Sequence, residues 1–578
     1  MFGIADIFSG WEQSIQDTLS QWGGAGDALI FVTRFFFPVA ALTVFLRCLW
    51  PLMSGGRRSQ PWACLSSPDG TRIPLVHWEN TLGRSSQCDI VLSSPSVSRT
   101  HAVLSRRREG WIVFDVNSMC GVTVGGERIV GQSPVREGDV IGLADAYFTL
   151  LPAAHDDDDE DRQPVRKTFA SRAADVAAGL RPGVTLLFVL FFQIVALATF
   201  CLSAGEWFSL YVPAGYLVFI VLECLYFLVT RGQGRRHVEP ELLAFFLCGI
   251  GLFVAAASPV DLLKQVAAIV IGMVLFGVLS FFLNNIDRAR TARYVFAAGA
   301  IALLAVNLVF GKEQYGARNW ISLGGISIQP SEFVKVAFVF AGASTLDRLL
   351  SRRNLILFMG FSGVCIGALV LMRDFGSATV FFMGFLVMAF MRSGNARVLV
   401  IVSAVAAAGA TIAVSFLPYI QSRFSAWRHA WELIDTSGYQ QTRTMMYTAS
   451  GGLFGVGVGQ GYLHNVAAAD TDLVFGVVAE EWGLVVALLC ALAPLMLAVF
   501  AAMSVKSGRT AFYAIAACGA VVILLSQTAF NVFGSLDILP LTGVTLPFVS
   551  NGGSSMVACW GLLACIKSID ERHRAQEV

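Results

Sequence analysis

The chain of 578 residues is 55% hydrophobic and only 14% charged, against roughly 25% charged in an average soluble protein. This excludes a disordered or fibrous chain and argues against a wholly soluble one, which would need more charge to wet its surface. Its 41 basic and 40 acidic residues balance to +1, so charge gives no reason to expect a nucleic-acid partner.

Residues 1–24 read as an amphipathic helix, with Ile4, Ile7, Phe8, Trp11, Ile15, Leu19 and Trp22 at helical spacing. Such a segment suits a bilayer interface, a partner-binding element being the alternative. It lacks the basic start of a signal peptide. A hydrophobic stretch over 28–53 is long enough to span a bilayer, with Arg34 and Arg47 snorkelling or finding partners. Residues 60–152 change character. Short alternating runs between turn residues ("TRIPLVHW", "GWIVFDV", "DVIGLADAYFTLL") predict a small all-β sandwich. The acidic-then-basic run over 153–181 reads as a solvated linker.

From Pro182 onward, hydrophobic spans are expected near 182–203, 207–230, 238–257, 262–284, 290–309, 331–349, 354–372, 376–391, 397–419, 473–502, 511–535 and 554–570. With the first, that makes about thirteen helices of bilayer-spanning character. Basic loops such as "SGGRR", "RGQGRRH", "DRARTAR" and "RSGNAR" fall on every second connection. The positive-inside rule then puts the β domain and the C-terminus in the cytoplasm and residues 1–24 outside. The long loops 311–330 and 418–471 would face outward and carry charge, including Lys312, Arg318, Arg423, Arg428, Asp470 and Asp472. Polar residues gathered on one membrane face suggest a site there. Twelve cysteines follow no metal or disulfide spacing and read as buried thiols.

In the β domain, "GRSS", "SRTH" and "DVNSMCG" set Arg84, Ser98 and Arg99 in turns. Two guanidiniums and a hydroxyl suit a phosphate dianion. The segment 65–152 resembles the forkhead-associated (FHA) domain, whose pattern is Gly-Arg, Ser-x-x-His and Asn-Gly. The resemblance implies phosphothreonine binding through Arg84 and Ser98, with Arg99 beside them and His101 bracing the loop. Cys120 stands where the family usually has the Asn that holds the peptide backbone. An FHA fold kept only for docking is the alternative.

Four strings mark the membrane part: "YGARNWISLGGISIQPSEFVKVAF", "MRDFGSA", "SGYQQTRTMMYTASGGLFGVGVGQGYLHNVAAADTDLVFGVVAEEWG" and "GVTLPFVSNGGSS". Glu332 and Lys335 share a helix face and should be buried together or line a polar cavity. Asp before a hydrophobic helix, as at Asp472, is ordinary as a dipole complement. The Gly run 451–461 follows no phosphate-loop spacing, and close helix packing or a flexible loop explains it. In this order and spacing the four strings resemble the SEDS family (FtsW, RodA, SpoVE) over 238–570. Ten family spans map there; the spans at 28–53 and 182–230 are additions. The fold expected is thus a polytopic all-α membrane protein with the FHA sandwich inserted after its first helix.

The resemblance implies a peptidoglycan glycosyltransferase that polymerises lipid II at the outer face of the cytoplasmic membrane, in elongation, division or sporulation. It carries over Asp472 as the essential carboxylate, expected to act as general base. Gln329, Glu332, Lys335, Asp374, Gln440, Ser550 and Ser554 match its polar motifs, and Arg318 and Arg423 are candidates for the leaving diphosphate. Arg373 stands where Pro is usual, Asp470 where His is usual and Asn551 where Tyr is common. A divalent cation (Mg2+ or Mn2+), held mostly by substrate phosphates with Asp472 or Asp470 as candidate protein ligands, is expected. Expected partners are a class B penicillin-binding protein and phosphothreonine proteins of a Ser/Thr kinase pathway. A flippase for lipid-linked precursors with a regulatory FHA domain is the other reading, since many spans and intramembrane charges suit a transporter.

Overall fold

The computed structural model describes residues 23–54, 61–76, 79–85, 88–107, 110–152, 182–204, 209–233, 238–314, 316–323, 326–347, 352–394, 396–416, 421, 424–506 and 511–569. Residues 1–22 of the expected amphipathic segment, and all of the expected linker 153–181, lie outside them.

Among the described residues the β domain holds eleven strands: β1 Ala63–Ser66, β2 Arg72–Leu75, β3 Glu79–Gly83, β4 Ile90–Val91, β5 Ala102–Arg107, β6 Gly110–Asp115, β7 Val122–Val124, β8 Glu127–Arg128, β9 Gln132–Val135, β10 Val140–Leu143 and β11 Ala146–Pro152. They form two sheets, ordered β2-β1-β11-β10-β7-β8 and β4-β3-β5-β6-β9. Leu65, Leu143 and Leu150 of the first sheet share one apolar core with Leu82, Leu104 and Val113 of the second. Alternation along each strand sends every second side chain into that core. This is the expected sandwich.

The remainder is helical: α1 Gly23–Ser54, α2 Pro182–Ala204, α3 Tyr211–Gly232, α4 Glu239–Ala255, α5 Pro259–Leu283, α6 Ile286–Phe310, α7 Pro330–Leu346, α8 Arg352–Leu371, α9 Phe375–Ser393, α10 Ala396–Phe416, α11 Tyr439–Gly451, α12 Val474–Glu481, α13 Leu484–Lys506, α14 Ala511–Ser535 and α15 Gly553–Lys567. Nine helices among the described residues are long and apolar enough to cross a membrane alone. α4 and α15, of 17 and 15 residues, are too short by that measure; α4 is buried along its whole length and α15 from Ser554 onward. Enclosed by other helices, they need not match the lipid thickness themselves.

One expected span is corrected. The run 473–502 is two helices, α12 and α13, parted at Gly483, whose φ is +90°. A Cβ there would collide with the Leu453 carbonyl, so the break is where the Gly-rich run 451–461 packs backbone against backbone. The two long loops are also partly ordered. Residues 311–330 hold a three-stranded sheet, β12 Lys312–Gln314, β13 Ala317–Leu323 and β14 Ile326–Ile328, and the second loop holds α11.

The helices that flank the sandwich in sequence pack as an antiparallel pair. Phe36 meets Phe191 at 5.4 Å and Phe37 meets Phe192 at 5.3 Å. Arg47 finds its partner in the Thr185 hydroxyl at 3.3 Å and lies over the Phe188 ring. Chain exit and return are therefore side by side, at the end of the pair where the sandwich is inserted. At the far end, the Ser203 hydroxyl donates to the Val458 carbonyl at 2.8 Å, and nearer the middle of α1 Phe35 packs on Phe454 at 5.0 Å. The added helices thus rest on the Gly-rich run. Buried Trp482 joins them to the core, with Phe37, Phe192 and Phe253 at 4.8, 5.5 and 5.5 Å.

Helix polarity is consistent throughout. The Arg290–Asp347 pair (2.6 Å), the Phe512 N–H to Asp347 bond (3.1 Å) and the Tyr513 hydroxyl to the Leu283 carbonyl (2.7 Å) lie at one end of the bundle. The starts of α7, α9 and α15 and the end of α14 gather at the other. Trp482→Ala leaves a large void among four elements and should cost about 3–5 kcal/mol; a thermal melt of the detergent-purified protein reads it.

Candidate active site

At that second end lies a cavity of about 410 Å3. Its walls include Asn319 and Trp320 of β13, Gln329 before α7, Arg373 and Asp374 before α9, Asp470 and Asp472 before α12, Gly543, and Ser554 of α15. Five residues singled out by sequence therefore meet: Gln329, Asp374, Asp470, Asp472 and Ser554.

Each is placed by a definable interaction. Asp374 caps α9, its Oδ1 accepting the Ser377 N–H at 3.1 Å, as short acidic residues do at helix starts. Its Oδ2 accepts from the side-chain amides of Asn319 (3.2 Å) and Gln329 (3.4 Å). The Gln329 N–H is held by the Ser554 hydroxyl at 3.1 Å. Asp470 accepts from the Asn551 amide at 2.8 Å and binds the Asn551 N–H through its own carbonyl at 2.8 Å.

The loop carrying Asp472 has no regular partner strand or helix, so buried side chains satisfy its backbone. Asn531 of α14 donates to the Asp472 carbonyl at 3.0 Å and to the Val544 carbonyl at 2.8 Å. Ser550 donates to the Thr471 carbonyl at 2.7 Å and accepts the Leu546 N–H at 2.8 Å, while Gln265 donates to the Ser550 carbonyl at 3.0 Å. Gln440 donates to the Ala467 carbonyl at 2.9 Å. Ser550 and Gln440 thus hold the loop from behind, whereas the Asp472 side chain is half-buried and lines the cavity. Opposite it stands Gly543, φ +70°, where an added Cβ would lie 3.2 Å from Oδ2 of Asp472.

Glu332 and Lys335 do not line the cavity. They form a buried ion pair, Nζ to Oε1 2.6 Å, with side chains 5% and 1% exposed. Arg318 sits at the rim, 61% exposed, 3.8 Å from Glu313. Arg423 lies outside the described residues. Asn319, Gln265, Asn531 and Gly543 escaped the sequence reading, and Asn551 was noted only as a departure; the amides of Gln265 and Asn531, which bind backbone, leave no motif of their own. No group of three or more His, Cys, Asp or Glu among the described residues is placed to hold a metal.

In the sandwich, the Arg84 N–H binds the Ser98 carbonyl (3.0 Å) and the Ser85 N–H the Arg99 carbonyl (2.9 Å), which sets the two turns side by side. A Cβ on Gly83 would strike the Arg99 backbone, so glycine permits that approach. Buried His101 accepts the Ser98 N–H at Nδ1 (3.1 Å). Its proton then sits on Nε2, which donates to the Gly121 carbonyl at 3.0 Å. Arg84 and Arg99 are exposed and Ser98 half-buried. Hydrogen bonds from Ser96 and Ser94 hold the Asp145 carboxyl below its ordinary value and tie down the loop before Ser98.

A family model described as "Cell cycle protein" (FtsW/RodA/SpoVE) matches residues 252–575, more than half of the chain. The chain belongs to the FtsW/RodA/SpoVE family. An FHA domain model matches residues 80–144. The peptidoglycan glycosyltransferase RodA of Mycobacterium tuberculosis (strain ATCC 25618 / H37Rv) is 30% identical over 332 residues, 54% of this chain and 70% of that protein. The probable peptidoglycan glycosyltransferase FtsW of Tolumonas auensis (strain DSM 9187 / NBRC 110442 / TA 4) is 31% identical over 356 residues, 57% of this chain and 91% of that one. Among solved structures, Thermus thermophilus RodA is 26% identical, with a TM-score of 0.43 over 59% of this chain and 97% of that one. A chain of a peptidoglycan synthase complex is 29% identical, with a TM-score of 0.49 over 58% and 97%.

The buried pair invites a test. Lys335→Ala strands the Glu332 carboxylate and should destabilise by about 3–5 kcal/mol, whereas the double change Glu332→Gln, Lys335→Met should recover most of that loss. Melting temperatures of the three purified proteins check it.

Proposed function

We propose that this FtsW/RodA/SpoVE member polymerises lipid II into glycan strands at the outer face of the cytoplasmic membrane, with Asp472 as general base. The observation that carries the reading is the contrast within one loop. Buried side chains hold the backbone on both sides of Asp472, while its carboxylate lines the cavity. That arrangement fits an acid whose position is fixed at the wall of a substrate cavity.

The step is a single displacement. Asp472 takes the proton from the acceptor sugar hydroxyl as that oxygen bonds to the donor's anomeric carbon. The bond from that carbon to the undecaprenyl diphosphate breaks, and its electron pair leaves with the diphosphate. One base and no covalent intermediate imply inversion at the anomeric carbon, by analogy with inverting glycoside chemistry.

The carboxylates of Asp470 and Asp472 are hard oxygen donors and fit a divalent cation that takes its other ligands from substrate phosphates, rather than a protein-only cage. When bound, Mg2+ or Mn2+ would offset diphosphate charge. The sandwich would face the cytoplasm and take a phosphothreonine segment of a kinase-pathway protein at Arg84, Ser98 and Arg99. A class B penicillin-binding protein would crosslink the product. The described cavity walls all lie at one end of the bundle, which favours chemistry at one face over passage through it.

Purified protein given lipid II with Mg2+ or Mn2+ should yield glycan polymer. Asp472→Ala should lower the rate by at least about 100-fold, the usual contribution of a positioned base. Translocation of the headgroup with no polymer overturns the reading. For the sandwich, Arg84→Ala should weaken binding of a phosphothreonine peptide about tenfold or more in calorimetric titration, through loss of a charge-assisted bond; equal affinity removes the role.

A further inference from the structure

Arg373 occupies an unusual place. Helix α8 ends just before it, and the Arg373 N–H returns to the Val370 carbonyl (3.0 Å) while the Asp374 N–H returns to the Leu369 carbonyl (2.9 Å). This is a Schellman-type closure with Arg373 in the left-handed region, φ +62°. Glycine is the usual occupant because a Cβ is penalised there. A residue held against its backbone preference, at the rim of a site, points to a use for its side chain.

That side chain lines the cavity. Among the described lining residues it carries the one basic group, facing Asp374, Asp470 and Asp472. Its partner is loose: Glu313 lies 3.8 Å away, is half exposed, and is equally far from Arg318. Exposed pairs of this kind are weak and exchange readily. A diphosphate entering a cavity with three carboxylates needs a cation at its edge, and the planar guanidinium offers two parallel donors to phosphate oxygens.

We propose that Arg373 binds the diphosphate of the lipid-linked donor and stabilises it as it leaves, a role that rests on the glycosyltransferase reading. Glu313 releases the guanidinium when the diphosphate arrives. Arg373 is then a substrate-binding residue, distinct from the base.

The backbone makes the test clean. Arg373→Gly fits φ +62° better than the native residue, so its melting temperature should equal or exceed that of the native protein. Its kcat/KM for lipid II polymerisation should nevertheless fall about 10- to 100-fold, in the range expected for one lost charge-stabilising donor. Inhibition by added undecaprenyl diphosphate should weaken similarly, while inhibition by undecaprenyl monophosphate changes little. Arg373→Lys should fall between. The full chain is assayed in nanodiscs of neutral phosphatidylcholine and again with phosphatidylglycerol. Native rates and diphosphate inhibition in Arg373→Gly overturn the proposal, as does a loss confined to anionic nanodiscs, which would assign Arg373 to lipid headgroups. If the native protein makes no polymer, the glycosyltransferase reading fails instead. Direct binding of undecaprenyl diphosphate to the native and Arg373→Gly proteins still decides this proposal: equal affinity overturns it, weaker binding by the variant supports it.

Discussion

Irregular backbone inside a bundle of apolar helices must have its polar groups satisfied from within the protein, because hydrocarbon supplies no hydrogen bonds. The site end of this bundle is built on that constraint. The segments around Asp472 and Gly543 are neither helix nor strand. Asn531, Gln265 and Ser550 project from neighbouring elements and take up their carbonyls and N–H groups. Each amide joins two segments distant in sequence, so the loops are held as parts of one frame. The acid is thereby positioned through its backbone, with its side chain on the cavity wall.

Polar groups elsewhere in the bundle obey the same rule with different outcomes. Glu332 and Lys335 neutralise each other below the cavity. Such a pair adds little to stability compared with a well-packed apolar substitute, but removing either member is costly. Asp374 uses one oxygen on a helix end and the other on two amides. Three acids in motifs that look alike along the chain therefore do three different things: one pairs, one caps, one faces the cavity.

Much of the architecture was legible from hydropathy. The sandwich, the helices and their consistent polarity follow from period-2 alternation, apolar run length and alternating basic loops. The run 473–502 misled because hydropathy sees no difference between one long apolar helix and two that meet at a glycine. The break at Gly483 depends on the Leu453 backbone, about thirty residues earlier, which no local pattern displays. At the site, Asp472, Asp374, Gln329 and Ser554 were named from motif strings and do converge. The supporting amides were not, since an Asn in an apolar helix looks the same whether it grips a distant carbonyl or only its own turn. Arg373 was noticed only as a departure; its left-handed backbone and its place on the cavity wall are visible in three dimensions alone.

The antiparallel pairing of α1 and α2 sets a distance. The sandwich leaves the bundle beside Arg47 and Thr185, whereas Ser203, eighteen residues along its helix from Thr185, touches the Gly-rich run at the other end. With about 1.5 Å of rise per helical residue, roughly a bilayer's hydrocarbon thickness separates the two. A phosphopeptide segment bound at the sandwich would lie about that far from the cavity. One path between the two ends runs along the paired helices, which lean on the loop beside α12.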